Sequence, residues 1–285
     1  MFVKYFVFLF AGFIWLVQPQ QVCNGFLPEN DLKIPVSEVS IFTLNQNQFN
    51  SVLDRVEKVY QPIIASLGGK LEVKRLWTDD TVNASAMRFG NRYILNMYGG
   101  MARYPSITEE AFALVACHEL GHHIAGAPKV GGWFNTWASN EGQSDYFAGL
   151  KCFRKIYSDQ ENVEWANNAE IHPIVLEKCT TQWASDADAA VCARFAMAGR
   201  AITQLFKEIK FPNDELGFES PDNSQVRETD DRHPRPQCRL DTYLASALCD
   251  RPIDEKTNDQ DPEVGACTRL AGYTVGVRPL CWYKP

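Results

Sequence analysis

Residues 111–126 read AFALVACHELGHHIAG, an apolar stretch broken only at 118, 119, 122 and 123 by imidazole and carboxylate side chains. Ser106 stands three residues before Glu109 in capping-box spacing and Gly126 follows the last apolar residues, so the pattern predicts one helix over about 107–125. Residues four apart on a helix differ by about 400° of rotation, so His118 and His122 leave the same face one turn apart. Zinc takes such nitrogen ligands at about 2.0–2.1 Å and keeps a position open for water where a site is catalytic. Glu119, one residue along, then faces that water and can take its proton. The bland alternative is packing alone. It fits poorly, because three of the chain's five histidines fall within six residues of an apolar helix, where each ring has to be satisfied or neutral.

The third ligand sets the subclass. A longer H-E-x-x-H-x-x-G-x-x-H pattern needs Gly at 125 and His at 128, and the chain has Ala125 and Pro128. His172 and His233 are the remaining imidazoles, and both are distant in sequence. A carboxylate from the next helix is the better candidate, and Asn140-Glu141-Gly142-Gln143-Ser144-Asp145 supplies two acids four apart on one face. Glu141 is the expected metal ligand, and Asp145 is expected to hold the outer nitrogen of a ligand histidine. The alternative for this pair is ordinary acid at a helix N-terminus, favoured by the dipole. His123 points about 100° away from His122 and reads as structural, and His172 as an ordinary loop histidine.

Around the motif, Phe49, Val52, Leu53, Val56, Val59, Tyr60, Ile63 and Ile64 recur at helical spacing and Gly68-Gly69 stops them. Leu71–Trp77, Val82–Arg88 and Arg92–Tyr98 read as short strands, with Gly90-Asn91 as a hairpin turn, and a small antiparallel sheet is the simplest account. Further helices are predicted from about Ser139 to Ile156 and from Asp186 to Ile209.

The chain has 285 residues, 45% hydrophobic and 22% charged, enough for a sizeable core. A formal net charge of -7 offers no basic field for phosphate, which excludes nucleic acid as a partner. Residues 1–22 carry one Lys and then thirteen apolar or small residues, Tyr5 to Val17, the build of a secretory signal peptide. That run is short of the roughly 20 residues of a membrane span, although counting from Phe2 leaves an uncleaved anchor open. No span follows it. Nine cysteines behind an export signal imply disulfides in an oxidising compartment, secreted or periplasmic. Cys117, inside the motif helix, is the expected unpaired one. The tail from Cys238 to Cys281, rich in Pro, Asp and Gly between 251 and 265, is expected to be held by bridges more than by a core.

Asn83-Ala84-Ser85-Ala86, Gly90-Asn91-Arg92-Tyr93-Ile94, Gly99-Gly100-Met101, HELGHH at 118–123, EGQSDYFA at 141–148, and His233-Pro234 with Arg239 together resemble the gluzincin peptidases that include HtpX and the CaaX prenyl protease. The similarity covers roughly residues 83–240 and is closest to soluble exported relatives. It implies a zincin-like fold, an oxyanion-donating role for His233, and a substrate-pairing edge strand formed by Ala84, Ser85, Ala86 and Met87. Asn83-Ala84-Ser85 is also a glycosylation sequon, which a role at the cleft would leave unused. The membrane-spanning helices of some relatives have no counterpart after residue 17.

The sequence thus predicts an α+β chain, mostly helical. Its parts are a signal segment (1–22), an N-terminal arm (23–48), a metallopeptidase domain (49–249) and a disulfide-linked tail (250–285). One Zn2+ held by His118, His122 and Glu141, with Glu119 as base, gives a zinc endopeptidase acting on protein or peptide outside the cytoplasm. The rival is an exported zinc domain that binds or chaperones polypeptide without cutting it. Zinc-dependent hydrolysis of something other than protein also matches the motif.

Overall fold

The computed structural model describes residues 21–22, 25–40, 43–131 and 136–285. The apolar run 5–17 and Cys23 lie outside the described residues. In chain order the elements are β1 (Gln21–Val22), α1 (Gln46–Ser66), β2 (Lys70–Leu76), β3 (Ala84–Phe89), β4 (Arg92–Tyr98), α2 (Gly99–Ala102), α3 (Glu109–Ile124) and α4 (Glu141–Phe147). They continue with a π-helical segment at Ala148–Phe153, α5 (Arg154–Ile156), α6 (Asp159–Asn168), α7 (Pro173–Gln182), α8 (Asp186–Lys210) and α9 (Pro236–Leu248). The architecture is α+β and mostly helical.

The motif helix α3 is the centre of the molecule. Every residue from Ala111 to His123 is buried, so this helix is apolar all round and packed on all sides, by α1, β3, β4, α4 and α8. Its cap is Thr108, whose hydroxyl accepts from the Ala111 amide at 3.2 Å, and not the Ser106–Glu109 box expected from spacing. Burial of Ile107 immediately before that cap fixes the later start. α1 presents Phe49, Val52, Leu53, Val56, Tyr60 and Ile64 to this core, and a capping box of Asn45 with Gln48 starts it.

The sheet has the order β1-β3-β4-β2 and is mixed, not antiparallel as the sequence suggested. β3 and β4 form the expected hairpin, with Phe89 opposite Arg92 across Gly90-Asn91. β2, however, pairs parallel to β4, Lys70 with Arg92 through Leu76 with Tyr98. Apolar alternation specifies which face is buried and says nothing of strand direction. The crossing back is pinned by the buried Arg103, which donates to the carbonyls of Ile34, Trp77 and Asp79 at 2.9, 2.8 and 3.1 Å.

Four disulfides join the eight cysteines other than Cys23: Cys117–Cys152, Cys179–Cys192, Cys238–Cys281 and Cys249–Cys267. Cys117 is therefore bridged, not free, because the π-helical segment after α4 brings Cys152 against α3. The residues after α9 have no helix or strand, yet they carry a core of their own. Trp282 and Tyr283 pack with Tyr146 and Leu150, and the buried Arg278 donates to Gln143 Oε1 at 2.8 Å. The tail is thus held by buried side chains as well as by bridges. Among the described residues no helix is long and apolar enough to cross a membrane.

Candidate metal centre

Two helices build the site. Gly121 lies between the paired histidines, and a Cβ there would come within 3.0 Å of the Ser144 Cα, so the glycine lets α4 approach α3 backbone to backbone. Asn140 caps α4 by accepting from the Gln143 amide, which sets Glu141 at the first helical position, facing α3.

His118, His122 and Glu141 converge, with one ligand atom of each lying within 4.8 Å of the others. Glu141 Oε2 is 3.3 Å from His118 Nε2, and Glu141 Oε1 is 3.7 Å from His122 Nε2. The outer ring nitrogens are engaged elsewhere: His118 Nδ1 with Asp145 Oδ1 at 2.7 Å, His122 Nδ1 with the Ser139 carbonyl at 2.8 Å. That leaves both Nε2 atoms, both Glu119 oxygens and Glu141 Oε2 buried without a hydrogen-bond partner. Orphaned polar atoms are costly unless something joins them. Two nitrogens and a carboxylate oxygen aimed at one point, each histidine locked through its other nitrogen, are the donor set of a divalent ion such as zinc, and the residues fit it.

The electrostatics follow from burial. Burial pushes the Glu119 carboxyl up to about 8, with His118 opposing. It lowers His122 to about 4 against the pull of Glu141. In His118 burial works downward too, but Asp145 and Glu141 outweigh it and raise the ring to about 9. Burial would raise Glu141, yet His233, His122 and His118 hold its carboxyl well below the usual carboxylate range.

Asp145 sits at the hub of a network that spacing alone did not disclose. Its Oδ1 accepts from Arg239 Nη2 at 2.6 Å and from the Tyr243 hydroxyl at 2.8 Å, as well as contacting His118. All three side chains beside His118 are fully buried, and Arg239 also lies over the Phe206 and Phe26 rings. Tyr243 follows Arg239 by four residues on α9, so the two share a face, a signal the sequence did contain.

His233 Nε2 lies 2.9 Å from the Gly25 carbonyl and 3.3 Å from Glu141 Oε2, which places it at the rim of the centre. Ala84 to Met87 lie on β3, which the sheet order places between β1 and β4, so it is not the edge strand that the resemblance implied. His123 is away from the centre, its Nε2 3.3 Å from the Ile94 carbonyl and its ring stacked on Trp137. His172 sits at the start of α7, 3.0 Å from Glu219.

No protein-family model, curated protein or solved structure matches the chain. The four disulfides suit an oxidising compartment outside the cytoplasm.

Proposed function

We propose that the chain is a zinc-dependent endopeptidase of the gluzincin type, working outside the cytoplasm on protein or peptide. One observation supports the reading: ligand atoms of His118, His122 and Glu141 converge within 4.8 Å of one another, the outer nitrogens of both histidines are held, and both oxygens of the neighbouring Glu119 are buried without a hydrogen-bond partner. His118, His122 and Glu141 would hold the ion. Zinc, when bound, would lower the pKa of water and polarise the carbonyl to be attacked.

The chain's own residues do the rest. Glu119, with both oxygens free of other bonds, accepts the proton of the attacking water and returns it to the leaving amine. Asp145 fixes the tautomer of His118, and Arg239 and Tyr243 fix Asp145. His233, beside Glu141, donates to the oxygen that gains charge in the tetrahedral intermediate.

A zinc that only braces the fold would need no unpartnered carboxylate next to it, and Glu119 is what separates the two readings. The test compares wild type with Glu119→Gln for cleavage of unfolded casein while bound zinc is measured. Loss of cleavage with zinc retained is expected. Equal, chelator-insensitive behaviour of the two proteins favours the non-catalytic, polypeptide-binding reading.

A further inference from the structure

A cavity of about 230 Å³ lies between α1, the π-helical segment and residues 253–257 of the tail, at the C-terminal end of the motif helix. Ile63, Leu67, Ile124, Phe147 and Ile253 form its apolar walls, and none of the candidate metal ligands lines it. The tail wall is fastened to α3, because Thr257 Oγ1 donates to the Ile124 carbonyl at 3.0 Å and the Ala127 amide donates to the Asn258 carbonyl at 2.7 Å. An apolar cavity of about 150 Å³ already holds a benzene ring, so this one has room for a ring or a branched chain bearing a small polar group.

Two buried polar side chains inside the cavity have unused hydrogen-bonding capacity, which is costly away from water. Tyr60 is 2% exposed, and its hydroxyl is buried without a hydrogen-bond partner. Burial raises the pKa of that hydroxyl, and Asp254 on the cavity wall raises it further, which puts the group on the cavity side of the ring. Lys151 is 3% exposed, and one of its three ammonium hydrogens goes to the Pro252 carbonyl at 2.6 Å. Among the described residues no carboxylate forms an ion pair with it. Asp254 is paired with Lys155 at 2.5 Å and Glu255 with Arg251 at 2.6 Å. Burial lowers Lys151 to about 8, with Glu255 opposing, as suits a cation held among apolar groups.

These features define one class of guest. The uncompensated charge inside the cavity is the ammonium, so the guest carries a negative charge, and a carboxylate has two oxygens with which to accept from the ammonium and the hydroxyl. The opposite choice is an amine received by Glu255 Oε2, which is also buried without a partner, but Arg251 already neutralises that carboxylate.

We propose that this cavity is a binding site for a small organic carboxylate with a compact apolar or aromatic body, its oxygens accepting from Lys151 and Tyr60. The site is separate from the metal centre, and it stands whether or not the chain cuts peptide bonds. A guest there joins α1 and the tail to the end of the helix that bears His118 and His122.

The test is calorimetric titration of the full chain at neutral pH with phenylacetate, phenylacetamide and 2-phenylethylamine, which share one body and differ in charge. Phenylacetate is expected to bind once per chain, and the other two at least about tenfold more weakly, the step that loss of hydrogen bonds to a charged group produces. Lys151→Met should weaken phenylacetate binding by about 10-fold or more, and Tyr60→Phe by about 3- to 10-fold. The comparison of probes in wild type does not depend on how the variants fold. If a variant fails to fold, hydrogen exchange in wild type decides: slower exchange at residues 252–257 with phenylacetate sustains the proposal, and no change there overturns it. Phenylacetate binding that Lys151→Met leaves unchanged puts the acid elsewhere, the metal centre included, and overturns the proposal. So does an amine that binds more tightly than the acid, or no phenylacetate binding up to about 10 mM.

Discussion

Arg239→Met is the perturbation that best exposes how the site is supported. Arg239 and Asp145 are both completely buried, 2.6 Å apart, and Arg239 is held charged because Asp145 more than offsets the burial that would lower it. Removing the guanidinium takes away the permanent counter-charge of Asp145 and leaves it only Tyr243 and His118 as partners, and breaking a buried pair in this way costs about 3–5 kcal/mol. At about 2 °C per kcal/mol for a domain of this size, the melting temperature should fall by roughly 6–10 °C. Asp145 then tends to take up a proton, His118 loses a strong acceptor, and zinc affinity should drop by about 10-fold or more. Thermal and urea unfolding with the disulfides intact, in chelator and in excess zinc, read both effects. The double variant Arg239→Met with Asp145→Asn removes both charges and should recover at least about 2 kcal/mol of the single variant's loss. A single-variant loss below about 1 kcal/mol, or strict additivity in the double variant, would refute this account of the network.

His233→Phe should keep zinc and slow turnover by about 100-fold, the usual cost of losing an oxyanion donor, and unchanged turnover in a steady-state casein assay removes that role. Asp241 gives a pH signature. Burial raises its carboxyl to about 6 although it accepts from the Asp222 amide and from Gln237. The folded state therefore binds more protons than the unfolded state between the unfolded value near 3.9 and about 6, so this group's contribution falls as pH rises through that window and is level above it. Asp241→Asn should accordingly gain up to about 3 kcal/mol on wild type between pH 4 and pH 7. Carboxylates held low, such as Glu161 paired with Arg55, slope the other way in both proteins and cancel in the difference. A pH-independent difference in urea stability would contradict the assignment.

The parts of this molecule that were legible in the sequence are those governed by local periodicity. The spacing of His118 and His122, the four-residue step from Glu141 to Asp145, the apolar face of α1 and the Gly90-Asn91 hairpin all depend on residues within a turn or two of one another. What was not legible depends on long-range packing. The parallel direction of β2 is set by the buried guanidinium of Arg103 and by the chain crossing between residues 77 and 83, which leave no periodic trace. Cys117 reads as a core thiol from its neighbours and becomes a bridge only because Cys152 lies across from it. Gly25 and Phe26 have no motif at all, yet they meet His233 and His118 across more than 90 residues of chain. The sealing core around Trp282 likewise forms between α4 and a segment that has no regular structure.

The proposed chemistry depends on one ion shared by two helices. Zinc content after chelation and equilibrium dialysis, measured for wild type, His122→Ala and Glu141→Ala, tests it most directly. One zinc per wild-type chain is predicted, with affinity in both variants reduced by more than about 100-fold, beyond what loss of a supporting residue costs. Wild-type protein that takes up no zinc, or Glu141→Ala that holds it as tightly as wild type, would contradict the account.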